Sequence, residues 1–171
     1  MVINVRPVIE AGVGASLTRE GVFVPGEMSL GELVFAPFEG HAEAPWKVEV
    51  SNVGEGVHAR GRVRTEVRTV CARCLEEFVL PVQGEVDELF YKEPTVDEQG
   101  DELPVIDVEG FIDLEPILYE ALLMALPFKP LHDENCRGLC SGCGVNLNRE
   151  DCRCEEGPDP SHPFAGLRDL L

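Results

Sequence analysis

The longest regular pattern in the chain is an alternation of apolar and polar side chains across residues 57–70. One set of alternate positions carries the apolar residues Val57, Ala59, Val63 and Val67. The positions between them carry histidine and arginine, and a period of two places the two sets on opposite faces of a strand. A second extended run covers residues 78–91 after a short connection. The pair predicts a long antiparallel β-hairpin with one packed face and one wet face.

Shorter segments predict further strands. Residues 46–52 alternate cleanly, and residues 1–5 and 31–38 are short apolar runs. Residues 10–29 are rich in glycine and mixed in character, so we expect a loop or a short helical turn there. The acidic stretch 93–109 contains two prolines and a glycine, which favours a surface loop.

Two helices are expected near the end of the chain. Residues 114–126 carry an apolar stripe with helical spacing, Asp113 is a plausible N-cap, and Pro116 lies in the first turn. Residues 163–171 predict a short C-terminal helix.

Together these elements predict an α+β fold: a curved antiparallel β-sheet or partial barrel with one packed helix, a small cysteine-rich zinc module and a C-terminal helix. We expect the sheet domain to cover residues 1–130 and the cysteine-rich module with the last helix to cover residues 131–171.

Charge is large and unevenly distributed. The formal net charge is −18, which opposes non-specific binding to nucleic acid and favours a basic partner. Residues 75–115 contain fourteen acidic side chains against one basic residue, whereas residues 56–73 contain five arginines against one acid.

The arginines of the first hairpin strand share one face. Spaced along that face, they are able to meet phosphates of a nucleic acid backbone. The alternative is cross-strand pairing, with Arg62 opposite Asp87 and Arg64 opposite Glu85. The pairing alternative is favoured because the neighbouring strand is acidic and has no aromatic residues for base stacking on that face. The stripe consists of Arg60, Arg62, Arg64 and Arg68.

The cysteines carry the strongest chemical signal. Five of the seven lie between residues 136 and 154, where Cys140-Ser-Gly-Cys143-Gly has the form of a metal knuckle. The other two, Cys71 and Cys74, form a second Cys-x-x-Cys at the predicted hairpin tip. We expect a cytosolic protein with reduced thiols, in which clustered cysteines ligate metal, and zinc is the first candidate.

Two assignments of these ligands remain open. In the first, one site uses Cys140, Cys143, Cys152 and Cys154, and a second uses Cys71, Cys74, Cys136 and His132. In the second, a single site uses Cys136, Cys140, Cys143 and Cys152, and the other cysteines are free thiols. The first assignment predicts two Zn²⁺ ions and the second predicts one, in each case in a closed, structural site. Iron suits an all-thiolate site equally well.

Other classes of protein find little support. The chain has no apolar run long enough to span a membrane and no recognisable signal peptide. It has no phosphate-binding glycine loop, no nucleophile constellation and no His-Glu-x-x-His motif, so we expect neither an enzyme nor a small-molecule substrate.

Several segments resemble the bacterial YceD family of large ribosomal RNA subunit accumulation proteins. The matching segments run from about residue 56 to the end, and they are Val70–Phe78, Ile112–Ile117, Ala125–His132, Cys136–Asn148 and Pro163–Leu167. Many relatives carry a cysteine where this chain has His132, which supports His132 as a ligand. Some relatives lack the cysteines that correspond to Cys140 through Cys154, which implies that the site at Cys71 and Cys74 is the more general one.

The resemblance implies a small cytosolic factor needed for 23S ribosomal RNA to accumulate, with no known catalytic activity. Our leading hypothesis is that its acidic surface holds a basic ribosomal protein or assembly factor. The second hypothesis is direct binding of ribosomal RNA through the arginine face, and the third is a thiol or iron redox protein.

Overall fold

The computed structural model describes residues 1–38, 40, 42–152 and 154. Within them the elements follow one another as β1 (Val2–Asn4), α1 (Arg6–Glu10), β2 (Ser16–Phe23), β3 (Met28–Leu30), β4 (Leu33–Pro37), β5 (Ala44–Asn52), β6 (Gly56–Val70), β7 (Glu77–Tyr91), β8 (Phe111–Asp113) and α2 (Glu115–Ala125).

Strand β6 is the centre of the sheet. It pairs with β7 along its whole length, from Gly56 opposite Tyr91 to Val70 opposite Glu77. Along its other edge β6 pairs first with β5, over Val57–Val63, and then with β4, at Val67 and Arg68. Strand β2 pairs with the far edge of β5, and β3 with the far edge of β4. Strands β1 and β8 form a separate antiparallel pair. The α+β fold with an open, curved antiparallel sheet is confirmed, as is the long hairpin.

The core lies between one face of this sheet and helix α2. Alternate residues of β5 and β6 are buried there, and α2 buries Leu118 and Leu122 against them. Gly84 of β7 faces the helix at very short range. A Cβ built on it would lie 2.5 Å from the backbone carbonyl of Ala121, so this close approach requires glycine.

Some local expectations were wrong. Residues 10–29 contain β2 and the start of β3, because β2 pairs with β5 over eight residues and β3 pairs with β4. Helix α2 begins one residue later than expected, and its N-cap is Leu114, whose side chain makes no cap hydrogen bond. Asp113 instead accepts the backbone N–H of Glu115 at 3.1 Å. The expected helix over 163–171 lies outside the described residues, and the division at residue 130 stays a prediction.

Candidate metal centres

The first cluster of metal-binding side chains lies where the β6–β7 hairpin meets the segment after α2. Its donor atoms, three sulfurs and one imidazole nitrogen, all lie within 4.8 Å of one another. The Sγ atoms of Cys71 and Cys136 are 3.8 Å apart, and Cys74 Sγ lies 3.4 Å from Nδ1 of His132. Cys71 is fully buried, and Cys74 and Cys136 are each only 4% exposed. We name this cluster the buried centre.

Backbone hydrogen bonds shape the hairpin tip around these sulfurs. Cys71 donates its N–H to the carbonyl of Glu76 at 2.8 Å, and Leu75 donates to the carbonyl of Cys71 at 2.9 Å. Leu75 adopts a left-handed conformation with φ 60° to close this turn. Ala72 donates to the carbonyl of Pro130 at 2.8 Å. This last bond holds the segment that carries His132 and Cys136 against the tip.

The second cluster is formed locally by Cys140, Cys143, Cys152 and Cys154, whose sulfurs also lie within 4.8 Å of one another. Cys140 Sγ is 3.2 Å from the sulfur of Cys152 and 3.9 Å from that of Cys154, and Cys143 Sγ is 3.8 Å from Cys152 Sγ. Cys143 and Cys154 are exposed, and the other two are half-buried. We name this cluster the exposed centre.

Two glycines permit the knuckle at the exposed centre. Gly144 adopts φ 75° and donates its N–H to the carbonyl of Cys140 at 2.9 Å. Gly142 donates its N–H to Cys140 Sγ at 3.4 Å. A Cβ on Gly142 would lie 3.0 Å from Cys154 Sγ, so a side chain there would compete with a sulfur for the same space.

The donor geometry fits a tetrahedral thiophilic ion. With zinc–sulfur bonds of about 2.3 Å, the sulfurs of a tetrahedral site are separated by about 3.8 Å. Four sulfur–sulfur separations in the two centres are 3.2 to 3.9 Å, and all donor atoms of each centre lie within 4.8 Å of one another. Each centre offers four protein donors, the set that closed structural sites use. The grouping is that of the two-centre assignment made from the sequence, and metal ligation by these eight residues stays a prediction.

The thiols of each centre differ in acidity. Burial raises the pKa of the Cys71 thiol, but the backbone N–H groups of Cys74, His132 and Arg73 outweigh it and lower that pKa to about 5. Burial, together with the neighbouring sulfurs, raises the pKa of Cys74 to about 11. The Cys71 thiolate therefore forms readily in the buried centre, whereas ionisation of Cys74 needs a compensating cation.

The exposed centre shows the same division. The backbone N–H of Cys143, the Cys152 side chain and the backbone N–H of Gly142 lower the pKa of Cys140 to about 6. The side chains of Cys152, Cys143 and Cys140 raise the pKa of Cys154 to about 12. Four thiolates at these separations repel one another, and a divalent cation is what would allow them to ionise together.

The arginine stripe lies on the outward face of β6, as its alternation indicates. Arg60 Nε is 3.5 Å from Asp87, and Arg62 Nε is 3.2 Å from Glu85. The expected partners were wrong by two residues, because Arg62 faces Glu85 and Arg64 faces Gln83 in the hairpin register. Arg64 donates from Nε to the Gln83 side-chain oxygen at 2.8 Å. Arg68 lies opposite Val79.

This face forms one wall of a groove of about 910 Å³ that crosses β2, β5, β6 and β7. Its charged lining is mixed, with cations from Lys47, Arg60, Arg62 and Arg64 and carboxylates from Glu20, Glu85 and Asp87. Lys47 and Glu20 were not predicted from the sequence as members of this surface. They face each other across β2 and β5, and β2 was not expected to be a strand.

No helix in the described part of the chain is long and apolar enough to cross a membrane.

Comparison with known proteins identifies relatives over most of the chain. The model of the family described as "Large ribosomal RNA subunit accumulation protein YceD" matches residues 59–171. Proteins of Mycobacterium bovis and Mycobacterium tuberculosis, both described as uncharacterized, are 38% identical over 126 residues, which is 72% of this chain and 60% of each relative. A Mycobacterium leprae protein is 33% identical over 127 residues, 72% of this chain and 57% of the relative.

The chain therefore matches only about 60% of the length of these mycobacterial relatives. No solved structure is significantly similar to it.

Proposed function

The chain belongs to the YceD family, and from that membership we propose that it is a non-enzymatic factor for the accumulation of large-subunit (23S) ribosomal RNA. The match over residues 59–171 is the observation that carries this proposal, since it includes nearly all of the hairpin, α2 and both cysteine clusters. The family is described by an effect on ribosomal RNA, and its description names no catalytic activity. A cytosolic location, where ribosomes assemble, is part of the proposal.

We further propose that the protein acts by holding a basic ribosomal protein or assembly factor. The supporting feature is residues 93–109, which we name the acidic lobe. It contains seven carboxylates and no basic residue. Within the described residues, no ion pair to lysine, arginine or histidine is found for them. Unneutralised carboxylates create a field that attracts and orients a cationic surface. The carboxylates are Glu93, Asp97, Glu98, Asp101, Glu102, Asp107 and Glu109.

The proposed role of metal is structural. Zinc at the buried centre would tie the hairpin tip to the segment after α2, and zinc at the exposed centre would fold residues 140–154. Iron is the alternative for the all-thiolate exposed centre, and it would give a coloured protein. Metal analysis of the purified chain tests both, with two zinc ions per chain as the expected result. A chain purified without metal would count against this role.

The partner proposal is tested by co-purification at two salt concentrations. Neutralising three carboxylates of the acidic lobe, Glu98→Gln, Asp101→Asn and Glu102→Gln, should abolish recovery of a basic ribosomal partner. A matched control neutralises Glu10, Glu27 and Glu32, which lie outside the lobe. Recovery by the wild type should fall as salt shortens the Debye length from about 10 Å at 0.1 M to about 3 Å at 1 M. Equal recovery by both variants would refute the role of the lobe.

Direct RNA binding is the second candidate, and the groove beside β6 supports it. Two of its cations, Lys47 and Arg64, have no carboxylate partner within the described residues, whereas Arg60 and Arg62 are paired. If RNA binds here, Lys47→Gln with Arg64→Gln should weaken binding and lower the salt slope by about one unit for each phosphate that is no longer neutralised. Arg6→Gln with Arg19→Gln is the control. An unchanged slope would exclude this candidate.

A further inference from the structure

The loop of the exposed centre lies directly against the buried centre. Asn148, between Cys143 and Cys152, donates a hydrogen bond from Nδ2 to Cys136 Sγ at 3.3 Å. Its Oδ1 atom accepts the backbone N–H of Arg137 at 2.7 Å. One side chain therefore contacts a sulfur of the buried centre while the chain on both sides of it leads to sulfurs of the exposed centre.

The next residue of the same loop holds the hairpin tip. Arg149 Nη2 lies 2.6 Å from Oε1 of Glu76. Glu76 in turn accepts the backbone N–H of Cys71 through its own carbonyl oxygen. The loop is thus attached to both halves of the buried centre, to Cys136 through Asn148 and to the tip through Arg149.

The backbone between the centres is fixed from two sides. Leu139 donates to the carbonyl of Arg73 in the hairpin tip at 3.1 Å, and Leu147 donates to the carbonyl of Gly138 at 2.9 Å. Gly138 adopts φ 74°, and a Cβ on it would lie 3.1 Å from the Arg73 carbonyl oxygen. Residues 136–140, which connect the last ligand of one centre to the first of the other, are therefore packed between the tip and the loop.

We propose that metal binding at the two centres is cooperative and that Asn148 is the positioning residue that couples them. This inference rests on the proposed binding of metal. A metal ion at the exposed centre would fix residues 140–154 and so hold the Asn148 amide against Cys136. An N–H bond to a metal-bound thiolate stabilises its negative charge and fixes its orientation. By linkage, an ion at the buried centre favours binding at the exposed centre by the same factor.

The experiment is a competition titration of the metal-free full-length chain with Co²⁺ and then Zn²⁺ against a chromophoric chelator. The informative variant is Asn148→Asp, because an ionised aspartate still accepts the Arg137 N–H but cannot donate to sulfur. It also loses the bond that Asn148 Nδ2 donates to Asn146 Oδ1 at 2.8 Å within the same loop. Asn135→Asp is the matched control. It adds the same charge beside Cys136 in sequence, and its side chain has no hydrogen-bond partner within the described residues.

Cooperativity predicts that Asn148→Asp weakens metal binding at the buried centre about tenfold or more, the usual effect of losing a hydrogen bond to a ligand. Asn135→Asp should change it much less. The sulfur-to-cobalt charge-transfer band should also move to lower energy in Asn148→Asp, since a thiolate without its N–H bond is the better donor. A purely structural role for Asn148 would not move this band.

Removing the exposed centre gives an independent measurement. Cys143→Ser with Cys154→Ser changes two exposed residues and should also weaken binding at the buried centre about tenfold, the range of a modest coupling between sites. In that background Asn148→Asp should have little further effect, because the amide is no longer held in place. If the metal affinity of the buried centre is the same in the wild type and in every variant, the coupling is refuted while the metal sites stand. A chain that binds neither Co²⁺ nor Zn²⁺ would overturn the proposed metal sites and the coupling together.

Discussion

Replacing one cysteine in each centre should have very different effects on stability. The buried centre joins Cys71 to Cys136, which are 65 residues apart, whereas Cys140 and Cys154 of the exposed centre are 14 apart. Loss of the first ion separates the hairpin tip from the segment after α2. Loss of the second releases a loop that is able to unfold locally while the sheet remains intact.

The expected magnitudes follow from this difference. An ion bound at a thousandfold excess over its dissociation constant stabilises the folded state by about 4 kcal/mol. Cys136→Ser should therefore lower the melting temperature by roughly 10 °C, given about 2–4 °C per kcal/mol for a chain of this size. Cys143→Ser removes an exposed side chain. It should lower the free energy of unfolding of the sheet by no more than the coupling between the centres, which is about 1.4 kcal/mol for a tenfold effect.

Thermal unfolding followed by circular dichroism measures the first quantity, and limited trypsin digestion measures the second. Cys143→Ser should gain rapid cleavage after Arg149, because the loop that carries this residue is no longer closed. Wild-type protein treated with a strong chelator should resemble the two variants combined. Equal losses of melting temperature in both variants, or a digestion pattern that a chelator leaves unchanged, would refute the assignment of a long-range and a local centre.

Two further predictions concern the sheet. Gly84→Ala should destabilise the fold by about 1–3 kcal/mol, as overpacked substitutions do, because its Cβ would overlap the Ala121 backbone of α2. Gly26→Ala, with open space at its Cβ, is the control in the same denaturation assay. The His58 side chain, through its hydrogen bond, holds the pKa of Asp87 below its ordinary value of 3.8. A carboxyl group with a lowered pKa stabilises the folded state at pH values above its ordinary pKa, and this stabilisation is lost as pH falls through the folded-state pKa. His58→Gln should therefore raise the pKa of Asp87 in an NMR titration and reduce the loss of stability in acid.

The sequence was most informative where a pattern is local. The hairpin strands were predicted nearly to their observed ends, because β6 and most of β7 follow a period of two. The two Cys-x-x-Cys pairs were recognised from spacing alone, because such a turn brings two sulfurs together whatever the rest of the fold does. The partition of the remaining ligands stayed open.

Pairing between strands was harder to predict. The arginines of β6 were assigned to the correct face but to partners two residues away from the observed ones, Arg62 to Asp87 instead of Glu85. A register shift of two residues preserves every face and changes every partner, so the hydrophobic pattern cannot detect it. The number of residues in the cysteine turn sets the register. The turn seen here closes with Leu75 in a left-handed conformation, which the hydrophobic pattern does not indicate.

Strand β2 was missed for a different reason. Its residues Thr18, Arg19 and Glu20 are all exposed in succession, which interrupts the alternation that marks a half-buried strand. The strand is held by its ladder to β5, and only its partly buried Leu17 and Phe23 pack against the core. Without β2, the groove that contains Lys47 and Glu20 beside the arginines could not be foreseen.

The choice between one and two metal centres depended on contacts that no local pattern encodes. The spacing Cys152-x-Cys154 made it difficult to see how both sulfurs reach one ion. In the structure the backbone turns around the first sulfur, because the Cys154 N–H donates to Cys152 Sγ at 3.2 Å, and the missing side chain of Gly142 leaves room for the second. Cys136 is then not needed at the exposed centre and lies against the hairpin tip. The hydrogen bond from the Ala72 N–H to the Pro130 carbonyl holds the segment that carries Cys136 there. Both fourfold sets thus depend on features that the local pattern does not contain, among them the space beside Gly142 and the backbone bond from Ala72 to Pro130.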